Sequence, residues 1–214
     1  MTTRPRMLNE KKRKSPVERA VNVLFALVGA VLILFFLFLL YVNTACFVVE
    51  VTGHSMDTTL YGGDSWDDDG DRIYVLKNAK AKRGDIVVVD VSGSNHFSGA
   101  LIIKRLIAIE GDEVKIIDGG VEIKYAGTDE FVKLKEKYAI SPTEPSREAD
   151  FQTEWTVGEG EIFCLGDNRP VSEDSRAVGC LKMEDVIGVV PNWAIKIKSF
   201  STAWEKFRGT IALK

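Results

Sequence analysis

Residues 21–42 contain no charged side chain, and their core from Leu24 to Leu40 is Leu, Phe, Val, Ile, Ala and one Gly. At about 1.5 Å per residue, such a helix reaches the roughly 30 Å of a bilayer core. Backbone polar groups cannot stay unpaired in lipid, so helix is the only state open to this stretch in a membrane. A buried soluble helix would carry a polar stripe, and none is present. A cleavable leader usually has an apolar region of about 7–15 residues, and Asn43 two positions before Ala45 makes a poor cleavage site. Residues 21–42 are therefore expected to be a retained transmembrane helix.

The flanking charge sets the expected orientation. Residues 1–20 hold Arg4, Arg6, Lys11, Lys12, Arg13, Lys14 and Arg19 against Glu10 and Glu18, a net +5 in a chain of −3, which leaves −8 on the rest. A basic head beside an apolar span stays on the cytoplasmic side and faces anionic lipid. Residues 1–20 are thus read as a cytoplasmic N-terminus and residues 43–214 as an extracytoplasmic domain of a single-pass cytoplasmic-membrane protein. An acidic body argues against a nucleic-acid partner, whose basic patch would lie on the folded domain.

That body reads as mainly β. Residues 47–51, 73–76, 86–91, 101–109, 114–117, 121–125, 161–165 and 186–190 are short Val- and Ile-rich runs punctuated by Gly and Asp. Gly119-Gly120 signals a tight hairpin. Between residues 45 and 190 the only helical period is at residues 131–137, too short to stand alone. Residues 126–158 are polar, contain Pro142 and Pro145, and read as an inserted excursion. Residues 193–198 alternate with period two and predict a further strand. Beyond them Phe200, Trp204 and Phe207 have roughly helical spacing, suited to packing or to lipid headgroups. Cys46, Cys164 and Cys180 are an odd set; Cys164 and Cys180 could pair, but small buried hydrophobes are the simpler reading.

Three segments carry chemistry. Gly53-His54-Ser55-Met56-Asp57-Thr58-Thr59-Leu60 sets a serine on a turn after a strand. Leu101–Ile109 sets Lys104 within an apolar strand, with Ile102 and Leu106 on its face. A free lysine near 10.4 is almost wholly charged at neutral pH. Burial disfavours the ammonium, and a neutral amine can then take a proton from a serine hydroxyl. An edge-strand lysine that discourages aggregation is the structural alternative. Residues 166–179, Gly-Asp-Asn-Arg-Pro-Val-Ser-Glu-Asp-Ser-Arg-Ala-Val-Gly, follow a strand and repeat Asp-x-Arg at Asp167/Arg169 and Asp174/Arg176. That spacing predicts a loop fixed by those two ion pairs. His54 and His96 are read as solvated turn and loop residues. Asp67-Asp68-Asp69-Gly70-Asp71 has the look of a calcium loop but lacks the spaced Glu, so no metal is expected.

In this order the segments resemble the motif boxes of bacterial type I signal peptidases. That family's boxes read S-M-x-P-T-L, R-G-D-I-V, K-R-(V/L)-I-x-x-x-G-D and G-D-N-R-x-x-S-x-D-S-R-x-x-G. Arg83-Gly84-Asp85-Ile86-Val87 matches the second. Lys104-Arg105-Leu106-Ile107 with Gly111-Asp112 matches the third. Residues 166–179 match every defined position of the last. Thr58 stands where the first box has proline, and Glu110 where proline often precedes Gly-Asp.

The resemblance implies a membrane-bound serine endopeptidase that removes signal peptides from exported preproteins through an acyl-enzyme. Ser55 would be the nucleophile and Lys104 the general base. Ser172 would orient the amine, and Asp174 and Arg176 would buttress the site. Gly53 occupies the place of a serine that assists the oxyanion in some members. Small residues one and three positions before the cut would enter shallow pockets lined by Val51, Met56, Leu60 and Ile103. Signal peptides and the lipid bilayer are the implied partners, and no cofactor is implied. The alternatives are a peptidase dedicated to one client such as a pilin, a non-catalytic signal-peptide-binding relative, and a repressor-type autoprotease; the last would carry a DNA-binding head where this chain has a membrane span.

Overall fold

The computed structural model describes residues 15–63, 70–97 and 100–198. Two compact units divide at Thr44/Ala45.

The first unit is helix α1, Pro16–Ala45, 30 residues long, or about 45 Å. It is long and apolar enough to cross a membrane, and it extends past residues 21–42 at both ends. Its start is a capping box: the Glu18 N–H donates to Ser15 Oγ and the Ser15 N–H to Glu18 Oε2. Pro16 follows as the first helical residue, where its missing N–H costs nothing. Near its end the Thr44 hydroxyl donates to the Leu40 and Tyr41 carbonyls.

The second unit is β-rich. Its larger sheet contains β1 (Cys46–Glu50), β2 (Arg72–Lys77), β3 (Ile86–Asp90) and β4 (Leu101–Ile109). The smaller sheet contains β5 (Glu113–Ile117), β6 (Gly120–Lys124), β7 (Val132–Lys133) and β8 (Glu154–Thr156). The chain then returns to the larger sheet through β9 (Glu161–Leu165), β10 (Leu181–Lys182) and β11 (Val186–Val190). The orders are β1-β2-β11-β3-β4-β9-β10 and β7-β6-β5-β8, with every pair antiparallel. Each of the eight runs predicted as strands is one. The additional strands β7, β8 and β10 are two or three residues long, and their pairing partners, not their composition, make them strands. Residues 131–137 form no helix; β7 lies within them. Helix α2 (Ser175–Val178) lies in the loop between β9 and β10.

Strand β4 links the two layers. Opposite β9 its register shifts between Leu106 and Ala108, a bulge that inserts one unpaired residue and bends the strand. Before it, Ile102 and Leu106 join the cluster of Val87, Val89, Ile162 and Cys164. After it, Ile107 and Ala108 join Val114, Ile116, Val121, Ile123, Trp155 and Phe163. A third cluster, of Val51, Met56, Leu60, Ile73, Val75, Ile86 and Val88, lies under the serine-bearing turn.

Two local readings change. The β5–β6 hairpin closes with Ile117 opposite Gly120, so its two-residue loop is Asp118-Gly119, both at positive φ, as a type I′ turn requires. Residues 193–198 form no strand: helix α3, Asn192–Lys196, follows Pro191. β11 already pairs with β2 and β3, so the chain leaving it has no adjacent ladder, and it turns to bury Ala194. Phe200, Trp204 and Phe207 lie outside the described residues, as do residues 64–69 of the acidic stretch.

The layers are also joined by charge. Asp112, fully buried, accepts from Arg83 Nε and Nη2 at 2.6 and 2.7 Å and from the Ile109 and Ala126 N–H groups. Burial pushes its carboxyl up, but these donors outweigh burial and hold it below the ordinary carboxylate value. Its contribution is therefore complete above the unfolded value of about 3.9 and fades as pH falls through the lowered folded one. Asp112→Ala strands two backbone donors and an arginine, and is expected to cost about 3 kcal/mol in urea unfolding at pH 7. Its deficit should shrink in acid, where the wild type loses the same interaction.

Candidate active site

The serine-bearing segment leaves β1 as a single tight turn. Asp57 N–H donates to the His54 carbonyl, and the Thr59 and Leu60 N–H groups to that of Met56. Met56 and Leu60 are buried beneath it, which turns Ser55 toward the sheet. On β4, Lys104 lies opposite Val87 and is 5% exposed. Its Nζ is 2.7 Å from Ser55 Oγ. Burial drives its pKa below the ordinary 10.5; Asp174, Cys164 and Glu173 pull it back up, and Arg176 pushes it down, with burial prevailing. A hydroxyl thus meets an amine biased toward its neutral, proton-accepting form.

What holds the two together is a chain of buried ion pairs. Asp167, fully buried, takes Arg105 Nε and Nη2 at 2.7 and 2.6 Å and the Thr59 hydroxyl at 2.6 Å. Arg105 also donates to the Gly84 carbonyl and stacks on Tyr138, its guanidinium carbon 3.8 Å from the ring centre. The neighbour of Lys104 is thereby tied to the turn of Ser55. Asn168 adds its N–H to the Ser55 carbonyl and its Nδ2 to that of His54. The expected Asp167/Arg169 pair does not form. Arg169 turns instead to Glu136 and Thr143, because Asp167 is taken by Arg105. The Asp174/Arg176 pair does form, at 2.8 Å through Arg176 Nε. Asp174 also caps α2 and accepts from the Gly166 N–H, while Arg176 donates to the Arg169 and Ser172 carbonyls.

Ser172 Oγ is buried and, among the described residues, has no hydrogen-bond partner. A Cβ on Gly166 would overlap both this hydroxyl and the Ser55 carbonyl oxygen. Only glycine lets the loop bring Ser172 over the serine turn. Gly62 and Gly70 serve the same need outside the motif boxes: a Cβ on either would overlap the carbonyl of Gly53 or of Val51.

A cleft of about 390 Å³ opens over Ser55 and Lys104, with Val51, Met56 and Ile103 in its wall beside Val88, Phe97, Ile102 and Glu173. Leu60 is not in this wall; it is fully buried in the cluster below. His54 lines the cleft and its Nδ1 is 2.9 Å from Asp57 Oδ2. His96 is exposed on the 92–97 loop. The three thiols are unpaired. Of the acidic stretch, Asp71 is described, and it accepts from the Tyr61 N–H and from Lys198.

Sequence reasoning gave Asp167 the partner Arg169 instead of Arg105, and did not single out Thr59, Asn168, Glu136, Thr143 and Lys198. One signal pointed to the Asp167–Arg105 pair: two adjacent cations, Lys104-Arg105, inside an apolar run cannot both be buried without a carboxylate.

Residues 21–193 match the model of a family described as signal peptidase, peptidase S26. A signal peptidase I of Streptococcus pneumoniae is 31% identical over 169 residues, covering 65% of this chain and 78% of its own. A signal peptidase I of Bacillus licheniformis is 33% identical over 183 residues, covering 83% of this chain and 87% of its own. A crystal structure of a signal peptidase I from Enterococcus faecalis aligns with 30% identity and a TM-score of 0.39, over 53% of this chain and 98% of that one.

Thr58, where the resemblance would put proline, has φ +83°, and its hydroxyl donates to the Tyr138 carbonyl. Proline is locked near −65° and cannot adopt this angle, whereas glycine can. In thermal melts of the detergent-solubilised chain, Thr58→Gly is expected to lie within about 1 kcal/mol of wild type and Thr58→Pro to lose more than that. A Pro variant as stable as the Gly variant would remove φ as the constraint.

Proposed function

The chain belongs to the signal peptidase family, peptidase S26, and on that footing we propose that its cut is made by Ser55 as nucleophile with Lys104 as general base. As a serine peptidase of this family it removes signal peptides from secreted preproteins. The observation that carries the assignment is the 2.7 Å approach of Lys104 Nζ to Ser55 Oγ at a lysine excluded from solvent.

The chemistry follows from that geometry. Neutral Lys104 takes the Ser55 proton as Oγ adds to the scissile carbonyl. The Ser55 N–H is assigned as the donor to the developing oxyanion, where a preorganised donor acts most strongly. The ammonium of Lys104 then gives its proton to the departing amine, which leaves an ester on Ser55 and regenerates the neutral base. Water, deprotonated by Lys104, adds to the ester, and the ammonium so formed protonates Ser55 Oγ as the signal peptide leaves, which restores both groups. We assign Ser172 to orient the amine between these transfers; its buried hydroxyl makes no hydrogen bond among the described residues and is free to turn to it. Asp174 and Arg176 hold the loop that carries Ser172.

Small substrate side chains one and three positions before the cut are accommodated against buried Val51 and Met56 and half-buried Ile103, apolar groups that leave shallow room. Leu60 supports this wall from below. α1 anchors the protein in the cytoplasmic membrane as a single pass. The basic residues before it favour a cytoplasmic N-terminus and a catalytic domain outside, near the bilayer that holds a signal peptide's apolar segment.

Cleavage of a preprotein bearing an Ala-x-Ala site tests the dyad. Ser55→Ala and Lys104→Met are each expected to lower kcat/KM on the order of 10⁴-fold. Lys104→Met removes a buried amine that folding must desolvate, so it should also raise Tm by about 3 °C. Either variant cutting at the wild-type rate would overturn the assignment. The pH–rate profile gives a separate check. Activity needs neutral Lys104, so kcat/KM rises with pH along a limb below 10.5, the ordinary lysine value. Glu173 favours the ammonium; in Glu173→Gln the limb should move toward lower pH. A limb that moved upward would contradict Lys104 as the titrating base.

A further inference from the structure

We propose that Lys198 is a positioning residue for the Ser55–Lys104 pair, acting through the Thr59 carbonyl. The proposal rests on the Ser–Lys reading above, but Lys198 lies outside every motif box and beyond residue 193, where the family match ends.

The turn that carries Ser55 must be held at both ends, because it belongs to no helix or strand whose backbone hydrogen bonds would hold it. Its entry is fixed by Asn168, which donates to the Ser55 and His54 carbonyls. Its exit is Thr59. The Thr59 hydroxyl is held by Asp167, which constrains the side chain and leaves the peptide plane free to tilt. The Thr59 carbonyl, at the end of a turn that does not continue as a helix, has to find a donor elsewhere. Lys198 Nζ supplies one at 3.0 Å.

The ammonium is itself anchored. It lies 2.7 Å from Asp71 Oδ2, the two side chains being 29% and 13% exposed. Asp71 is joined to both flanks of the turn: its carbonyl accepts from the Val51 N–H, its N–H donates to the Tyr61 carbonyl, and its carboxylate accepts from the Tyr61 N–H. Lys198 and Asp71 thus connect the strand exit before Ser55, the last residue of its turn and the chain after it. The close approach of Gly70 to the Val51 carbonyl and of Gly62 to that of Gly53 brings Asp71 this near. Lys198 is far from the reacting atoms in sequence and touches neither of them; its effect passes along four residues of backbone from Thr59 to Ser55. Misplacement of a nucleophile by about 1 Å can cost up to a hundredfold in rate.

The full-length chain, in detergent with a signal-peptide-bearing substrate, decides this. Lys198→Ala is expected to lower kcat roughly tenfold and leave KM within about twofold, because the cleft wall does not include Lys198. Lys198→Arg, which keeps a donor and the ion pair, is expected to restore kcat to within about threefold. Adding Asp71→Asn to Lys198→Ala should cost little more, since the two act as a unit. If Lys198→Ala melts below the assay temperature, Asp71→Asn alone carries the same expectations for kcat and KM. An unchanged kcat, a loss confined to KM, or a loss that arginine does not restore would overturn the proposal. Ser55→Ala run in parallel separates the two levels: activity in that variant would defeat the Ser–Lys reading itself, whatever Lys198 does.

Discussion

The architecture of this protein around Ser55 depends on one buried carboxylate. Asp167 is fully buried and binds Arg105 through both oxygens while accepting the Thr59 hydroxyl. Three distant segments meet there: the strand of Lys104, the turn of Ser55 and the loop after β9. Apolar packing alone would bring these segments together without fixing their relative angle. A bidentate guanidinium–carboxylate pair fixes distance and plane at once. Burying both charges repays little in net stability; its return is the 2.7 Å approach of two groups 49 residues apart.

The same trade recurs around Lys104. A lysine 5% exposed is a liability to folding, because the ammonium must be neutralised or desolvated. The site tolerates that cost with Asp174 and Glu173 near enough to favour the ammonium, yet not paired with it. A direct carboxylate partner would have stabilised the charge and removed the base. Asp174 is kept from that role by Arg176, the α2 cap and the Gly166 N–H. Stability has been given up at the point where reactivity needs it.

Much of the fold was legible in the sequence. Eight of the strands are alternating or continuous Val- and Ile-rich runs whose burial follows their pattern, and the span at residues 21–42 could be nothing but helix in a membrane. Errors arose where the local pattern was ambiguous or a partner was missing. Residues 193–198 alternate like a strand, but β11 has no free edge beside which they could lie. Val132–Lys133, Glu154–Thr156 and Leu181–Lys182 are too short to carry a signal and exist because a neighbour pairs with them. Asp167/Arg169 looked like a pair by spacing, yet each found a remote partner.

Sequence alone determined the chemical inventory: an apolar span too long and too uncharged for a soluble surface helix, a serine on a turn, a lysine inside an apolar strand, and a polar box dense enough in matched positions to identify the family. Those features are local, set by composition and period, and need no partner to be read. Tertiary structure alone decided how the inventory is used. It gave Asp167 to Arg105, left the Ser172 hydroxyl without a partner, let Thr58 take an angle proline cannot reach, and brought Lys198 to the Thr59 carbonyl 139 residues away. The reason is physical: pairing of buried polar groups is settled by which donors and acceptors the packed layers exclude from water together, and sequence spacing carries no information about that.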